Sequence, residues 1–196
     1  MKKTIIFSIA TTFTLFATEA NVTKEAKAMP PVVKEGVGYI KMLGKELKMN
    51  MKKHMMADKS GVEAASFCAN KASEITKEVS AKFPKGVRVY RTSLKYRNPN
   101  NKPDEKDVEV LKSIQKSIDE NKFVQKPIVV KMDNNKTRVY VPLMVENACV
   151  KCHGDASKIN PEIKKIISKK YPNDKATGFK LGDLRGVIVA ELPTKK

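Results

Sequence analysis

Tryptophan is absent from this chain of 196 residues, and aromatic side chains make up only 6% of it. Histidine occurs only at His54 and His153, and cysteine only at Cys68, Cys149 and Cys152. A Cys/His zinc site built on Cys149, Cys152 and His153 would have only Cys68 and His54 to complete it. Acidic side chains are scarce: 21 Asp plus Glu face 39 Lys plus Arg, a formal charge of +18. No uncharged run reaches the roughly 18 to 20 residues that a spanning helix needs; Thr4 to Ala17 has 14. Internal repeats are missing, as is any recognisable kinase or cyclase motif, so a signalling role would need a separate partner.

What is present begins with Met1-Lys2-Lys3, a basic start ahead of the apolar run, followed by small residues up to Ala20. This pattern reads as a secretory signal peptide over residues 1–20, with Ala20 as the cleavage point and a periplasmic destination. A second possible cut follows Ala26-Lys27-Ala28, far from the apolar run. Removing Lys2, Lys3 and Glu19 leaves a charge of +17. The lysines are spread along the whole chain, as on a solvated basic surface. The partners such a surface admits are an acidic redox or signalling protein and an anionic membrane surface. Nucleic acid is disfavoured by the export signal and by the lack of a binding motif.

Residues 21–60 read as a linker ending in Pro30-Pro31 and then a long helix from Val32 to about Ala57. Val33, Val37, Ile40, Leu43, Leu47, Met51 and Met55 recur there every three or four residues. Residues 61–196 read as one domain. A second helix is expected from Val62 to Lys82, its face made of Ala64, Ala65, Cys68, Ala72, Ile75 and Val79. A strand is expected over 87–92 and an Asn/Pro-rich loop over 95–103. Asp104 should cap a helix from Glu105 to about Asn121. Strands over 127–132 and 137–145 should flank a hairpin loop at 133–136, with Pro142 marking an edge or a bulge. A short helix at 161–170 and a strand at 186–191 complete the order. The class is α+β, an antiparallel sheet with flanking helices and an N-terminal helical pair.

Cys149-Val150-Lys151-Cys152-His153 is C-x-x-C-H, the attachment pattern of a c-type haem. Two thiols three positions apart can add across two vinyl groups on one porphyrin edge. The following His is then carried under the ring as proximal iron ligand. Covalent haem of this kind is attached outside the cytoplasm, so motif and export signal agree. The competing readings are a thioredoxin-like redox pair and half of a zinc site. One haem c would add the apolar bulk that the chain's few aromatics do not supply.

The second axial position admits three candidates on residues alone. His54 would give a bis-His electron carrier, but it sits among Lys52 and Lys53 as an exposed residue would. A Met from the cluster Met42, Met49, Met51, Met55 and Met56 would raise the potential, though Met at helical spacing also makes core or contact surface. Cys68 is the odd thiol of an exported protein, which persists when buried or bound. Arg91, Lys95 and Arg97 are candidates to meet the haem propionates, because guanidinium groups suit carboxylates; a solvated basic loop is the competing reading.

Several separated segments resemble a family of bacterial haem c domains with a PAS-like fold, long catalogued only as a domain of unknown function. They are residues 91–103 (Arg-Thr-Ser-Leu-Lys-Tyr-Arg-Asn-Pro-Asn-Asn-Lys-Pro), Tyr140 to Leu143, Cys149 to Gly154, Tyr171 to Gly178, and Gly182 to Val187. The resemblance covers about residues 60 to 192. It implies a PAS-like domain holding one haem c, with His153 on one side of the iron. In the family, a Cys on the helix before the Arg-Thr-Ser segment binds on the other side, and Cys68 occupies that place. A six-coordinate His/thiolate iron suits a redox or gas sensor and not an enzyme, though the resemblance itself does not choose between sensor and carrier. A periplasmic electron-transfer cytochrome is the alternative. A haem peroxidase is a weaker one, since it would need a vacant iron position and distal acid–base groups.

Overall fold

In the computed structural model, residues 29–123, 125–133 and 135–194 are described. The expected signal peptide, Ala20 and the linker up to residue 28 lie outside them. A 27-residue helix, α1 (Pro31–Ala57), opens the described chain with Pro31 in its first turn, where a missing N–H costs nothing. Two short helices follow, α2 (Val62–Asn70) and α3 (Ala72–Ala81). Then come β1 (Arg88–Thr92), a 3-10 turn at Pro99–Asn101, and α4 (Glu105–Asp119). The hairpin β2 (Ile128–Met132) and β3 (Lys136–Met144) leads to the single turn α5 (Val150–His153), to α6 (Pro161–Lys170) and to β4 (Leu184–Pro193).

The four strands form one antiparallel sheet in the order β1-β4-β3-β2. The fold is α+β, as the order of elements predicts. β4 is central, and helices cover both faces, so it is buried almost without interruption. Its side chains alternate between two cores. Ile188, Ala190 and Leu192 pack with Val33, Ile40 and Leu43 of α1 and with Val79 of α3. Val187 and Val189 pack with Val110, Leu111 and Ile114 of α4. Gly36 lets α1 lie close on the sheet: a Cβ there would come within 2.7 Å of Val139 Cγ2. Asp104 caps α4 by accepting from Asp107 N at 2.8 Å, the bond its position in the sequence predicts.

Pro142 sits where a strand tolerates it. The β2–β3 pairing stops at Tyr140, so Pro142 has a strand neighbour only on the β4 side, one residue before the irregularity at Leu143/Met144. The single helix expected over 62–82 is two helices. The break falls at Lys71 (φ −112°, ψ −24°). The two halves serve different partners. Ala65 of α2 packs on Ile159, Ile163 and Ile167 of the α6 region, whereas Val79 of α3 packs on the sheet. Tyr171 Oη donates to Ala69 O at 3.1 Å and ties the end of α2 to the end of α6. Cys68 therefore stands near the end of a nine-residue helix, not in the middle of a long one. No described helix is long and apolar enough to cross a membrane.

Candidate functional site

The C-x-x-C-H segment is folded into one helical turn directly after β3. Cys149 N donates to Glu146 O at 2.9 Å, and His153 N donates to Cys149 O at 2.9 Å. One turn brings positions three apart to the same side, so Cys149 and Cys152 both face a cavity of about 300 Å³. Cys68 of α2 lines the same cavity. α1 contributes Gly44, Leu47, Met51 and Met55, and the small residues Ala64, Ala65 and Ala72 leave the space open.

The loop over 171–182 fixes His153. Its ring Nδ1 lies 2.7 Å from Ala176 O, which assigns the proton to Nδ1 as donor and leaves Nε2 with a free lone pair. Phe179 N donates to His153 O at 3.0 Å, and the Phe179 ring meets the imidazole edge-on at 6.3 Å. Burial, then the nearby Arg185 and Arg97 guanidinium groups, hold the His153 pKa well below the ordinary value. The imidazole is neutral, the form that can bind a metal. Burial pushes the Cys152 thiol up to about 11. Cys68 is exposed to solvent, yet enough protein surrounds it that burial raises its pKa, against the pull of Arg91 and Arg97.

The three basic candidates behave differently. Arg97 is a brace: Nη2 donates to Cys152 O at 2.6 Å and Nε to Asp174 Oδ2 at 3.1 Å. Asp174 in turn accepts from Ala176 N at 2.8 Å, so one ion pair locks the C-x-x-C-H turn to the loop that holds His153. Lys95 does not line the cavity; its ammonium donates to Thr177 O and lies over the Phe179 ring. Arg91 does line it, and its buried Nε has no hydrogen-bond partner. An unpaired guanidinium donor beside an apolar cavity lacks the acceptor that burial requires.

Arg185 was not among the sequence candidates, though it lies within the Gly182–Val187 segment. Its Nη1 donates to Ser93 Oγ at 3.1 Å and Lys95 O at 3.2 Å, and burial with Arg97 and Arg91 nearby lowers its pKa to about 10. Gly186 permits this approach, since a Cβ there would sit 2.4 Å from Thr92 O. Four of the five separated segments thus line one cavity, and the fifth, Tyr171 to Gly178, holds His153 and Arg97 in place.

His54 is elsewhere. Its ring stacks on Phe67 at 4.6 Å, Nδ1 is 3.9 Å from Glu63 Oε2, and it does not line the cavity. Of the Met cluster, Met51 and Met55 line it, whereas Met42, Met49 and Met56 are exposed. Among the described residues no three His, Cys, Asp or Glu side chains come close enough together to hold a bare metal ion.

No curated protein matches the chain. Among solved structures it is similar to the crystal structure of the cyanobacterial heme-protein Tll0287. The two are 27% identical, the match covers 86% of this chain and 99% of that one, and the TM-score is 0.62. The model of the Tll0287-like family matches residues 12–193, from upstream of α1 to the end of β4, and the chain belongs to that family.

Proposed function

We propose that this chain is an exported protein carrying one haem c in a PAS-like domain, and that it works as a redox or gas sensor. The observation that carries the proposal is the convergence of Cys149, Cys152, His153 and Cys68 on one apolar cavity. The donor set fits. Cys149 and Cys152 would each add a thiol across one vinyl group, sulfur and hydrogen both ending on carbon. His153 would offer the Nε2 that Ala176 leaves free, and Cys68 would face it from α2. Arg91, with its unpaired Nε, would take a propionate carboxylate. The bound group supplies one-electron iron chemistry.

Cys68 would set the function. As a thiolate it would donate charge and favour ferric iron, and as a thiol it would be a poor donor. It sits two residues before α2 ends, on a helix separated from α3 by the break at Lys71. Movement of α2 would then report the redox state. A periplasmic electron carrier is the second reading, favoured by the opening of the cavity to solvent at Cys68.

Mass spectrometry of protein matured in a haem c competent periplasm should show one added haem that survives acid–acetone extraction. Haem released by the solvent, or zinc in its place, would overturn the assignment. Binding of carbon monoxide or nitric oxide only after reduction supports the sensor; a haem that stays closed in both oxidation states supports the carrier.

A further inference from the structure

The outward face of α1 is unused by the core and by the cavity. Met42, Met49 and Met56 are 51%, 50% and 70% exposed. Seven residues are just under two turns, so the three stand in one line, with a drift of about 20° per step and about 10 Å between neighbours. Gly38 extends the line: a Cβ there would meet nothing within 4 Å. This line is diametrically opposite the core residues Ile40 and Leu47 and the cavity residue Met51 on the helical wheel. Lys45, Lys52 and Lys53 flank it, with Lys41 further round. All four are exposed and make no ion pair among the described residues. Lys48 is paired with Glu146 at 2.8 Å. The helix's two carboxylates are engaged along it, Glu35 with Tyr39 Oη and Glu46 with Asn50 Nδ2.

We propose that this methionine–lysine ridge docks the protein on an anionic phospholipid surface. The unpaired ammonium groups meet headgroup phosphates while the thioethers enter the headgroup layer side-on. A second copy of the chain is a poor occupant, because it would bring two basic ridges together. An acidic protein would have to supply the concavity that a single convex helix lacks. A planar bilayer meets such a ridge along its whole length, about 27 Å from Gly38 to Met56. Because Met51 and Met55 line the cavity from the other side of the same helix, docking would place the cavity one helix diameter from the lipid. The inference does not depend on the haem.

The test is co-sedimentation of the full mature protein with vesicles of equal parts phosphatidylglycerol and phosphatidylcholine, and with pure phosphatidylcholine vesicles, at physiological salt. Binding to the first and not the second is expected. Replacing Lys41, Lys45, Lys52 and Lys53 with Gln should weaken binding more than a hundredfold, at about fivefold per lysine. Removing the same charge around α4, on the far side of the sheet (Lys112, Lys116, Lys122 and Lys126 to Gln), should weaken it less than fivefold. Met42, Met49 and Met56 replaced by Ser should lower it about tenfold at constant charge. Since the chain has no Trp, Met49→Trp gives a single tryptophan, whose emission should shift to the blue on binding. Equal losses for the two lysine sets, no loss for the methionine set, or an unshifted emission would overturn the proposal. Absence of any sedimentation would also overturn it and leave an acidic protein as the occupant.

Discussion

Replacing Arg97 with Met should destabilise the protein more than any other change to the basic segment 91–97. The Arg97 and Asp174 side chains are only 13% and 12% exposed, with Nη2 and Oδ2 3.0 Å apart. Met fills similar length but leaves Asp174 largely buried without its counter-charge, and it strips the Cys152 carbonyl of a 2.6 Å donor. Breaking a buried pair by removing one partner costs about 3–5 kcal/mol, against about 0–1 kcal/mol for a surface pair. For a chain of this size that is a fall in melting temperature of about 6–20 °C. Urea unfolding followed by far-ultraviolet circular dichroism measures it. Arg97→Met combined with Asp174→Asn should lose less than the two single losses together, because the second change removes the charge left unpaired. Lys102→Met, on the exposed end of the same loop, should stay within about 0.5 kcal/mol. A loss below about 1 kcal/mol for Arg97→Met would refute the brace and reduce the pair to surface decoration.

Cys68→Ala should raise the haem potential and open ferric iron to added imidazole or cyanide, whereas His54→Ala should change neither. Control of the spectrum by His54 would restore the bis-His reading. Arg91→Gln should lower the potential by removing a cation from the cavity wall, and Lys95→Gln should leave it unmoved; potentiometric titration separates them. Burial alone would raise the Glu191 pKa, but hydrogen bonds from Lys136 and Arg138 outweigh it and leave the carboxyl depressed. The stability it contributes is present above the unfolded value near 4.5 and is lost as pH falls through the folded value. Urea unfolding from pH 7 to pH 3 should therefore fall less steeply for Glu191→Gln. Gly186→Ala puts a methyl 2.4 Å from Thr92 O and should cost about 2 kcal/mol or more by thermal unfolding.

The elements that could be read along the chain are those with local causes. The α1 period, the Asp104 cap, the hairpin around residue 134 and the position of Pro142 each depend on residues a few places apart. One long helix is expected over 62–82 because its face is continuous in Ala64, Ala65, Cys68, Ala72, Ile75 and Val79, yet the chain forms two. Its halves bend at Lys71 only because α6 and the sheet lie in different directions. The sequence pattern predicts a last strand over 186–191, whereas β4 runs from Leu184 to Pro193. As the central strand it is buried on both faces, which erases the alternation that marks a strand's ends.

By itself the sequence determined the α+β class and which atoms are available for chemistry: three thiols, two imidazoles and a basic segment. Covalent spacing does this, since C-x-x-C-H fixes two thiols and a ring within one turn wherever the chain goes. Tertiary structure alone decided how the rest were sorted. Arg91, Lys95 and Arg97 are alike in charge and lie within seven residues. Yet Arg91 is left with a bare Nε at the cavity, Lys95 is spent on Thr177, and Arg97 is locked to Asp174. His54 and Cys68 lie only 14 positions apart, but one stacks on Phe67 and the other lines the cavity with Cys149, Cys152 and His153. The partners that separate them come from 77 to 82 residues further along the chain for Arg97 and Lys95, and no local pattern carries information over that distance.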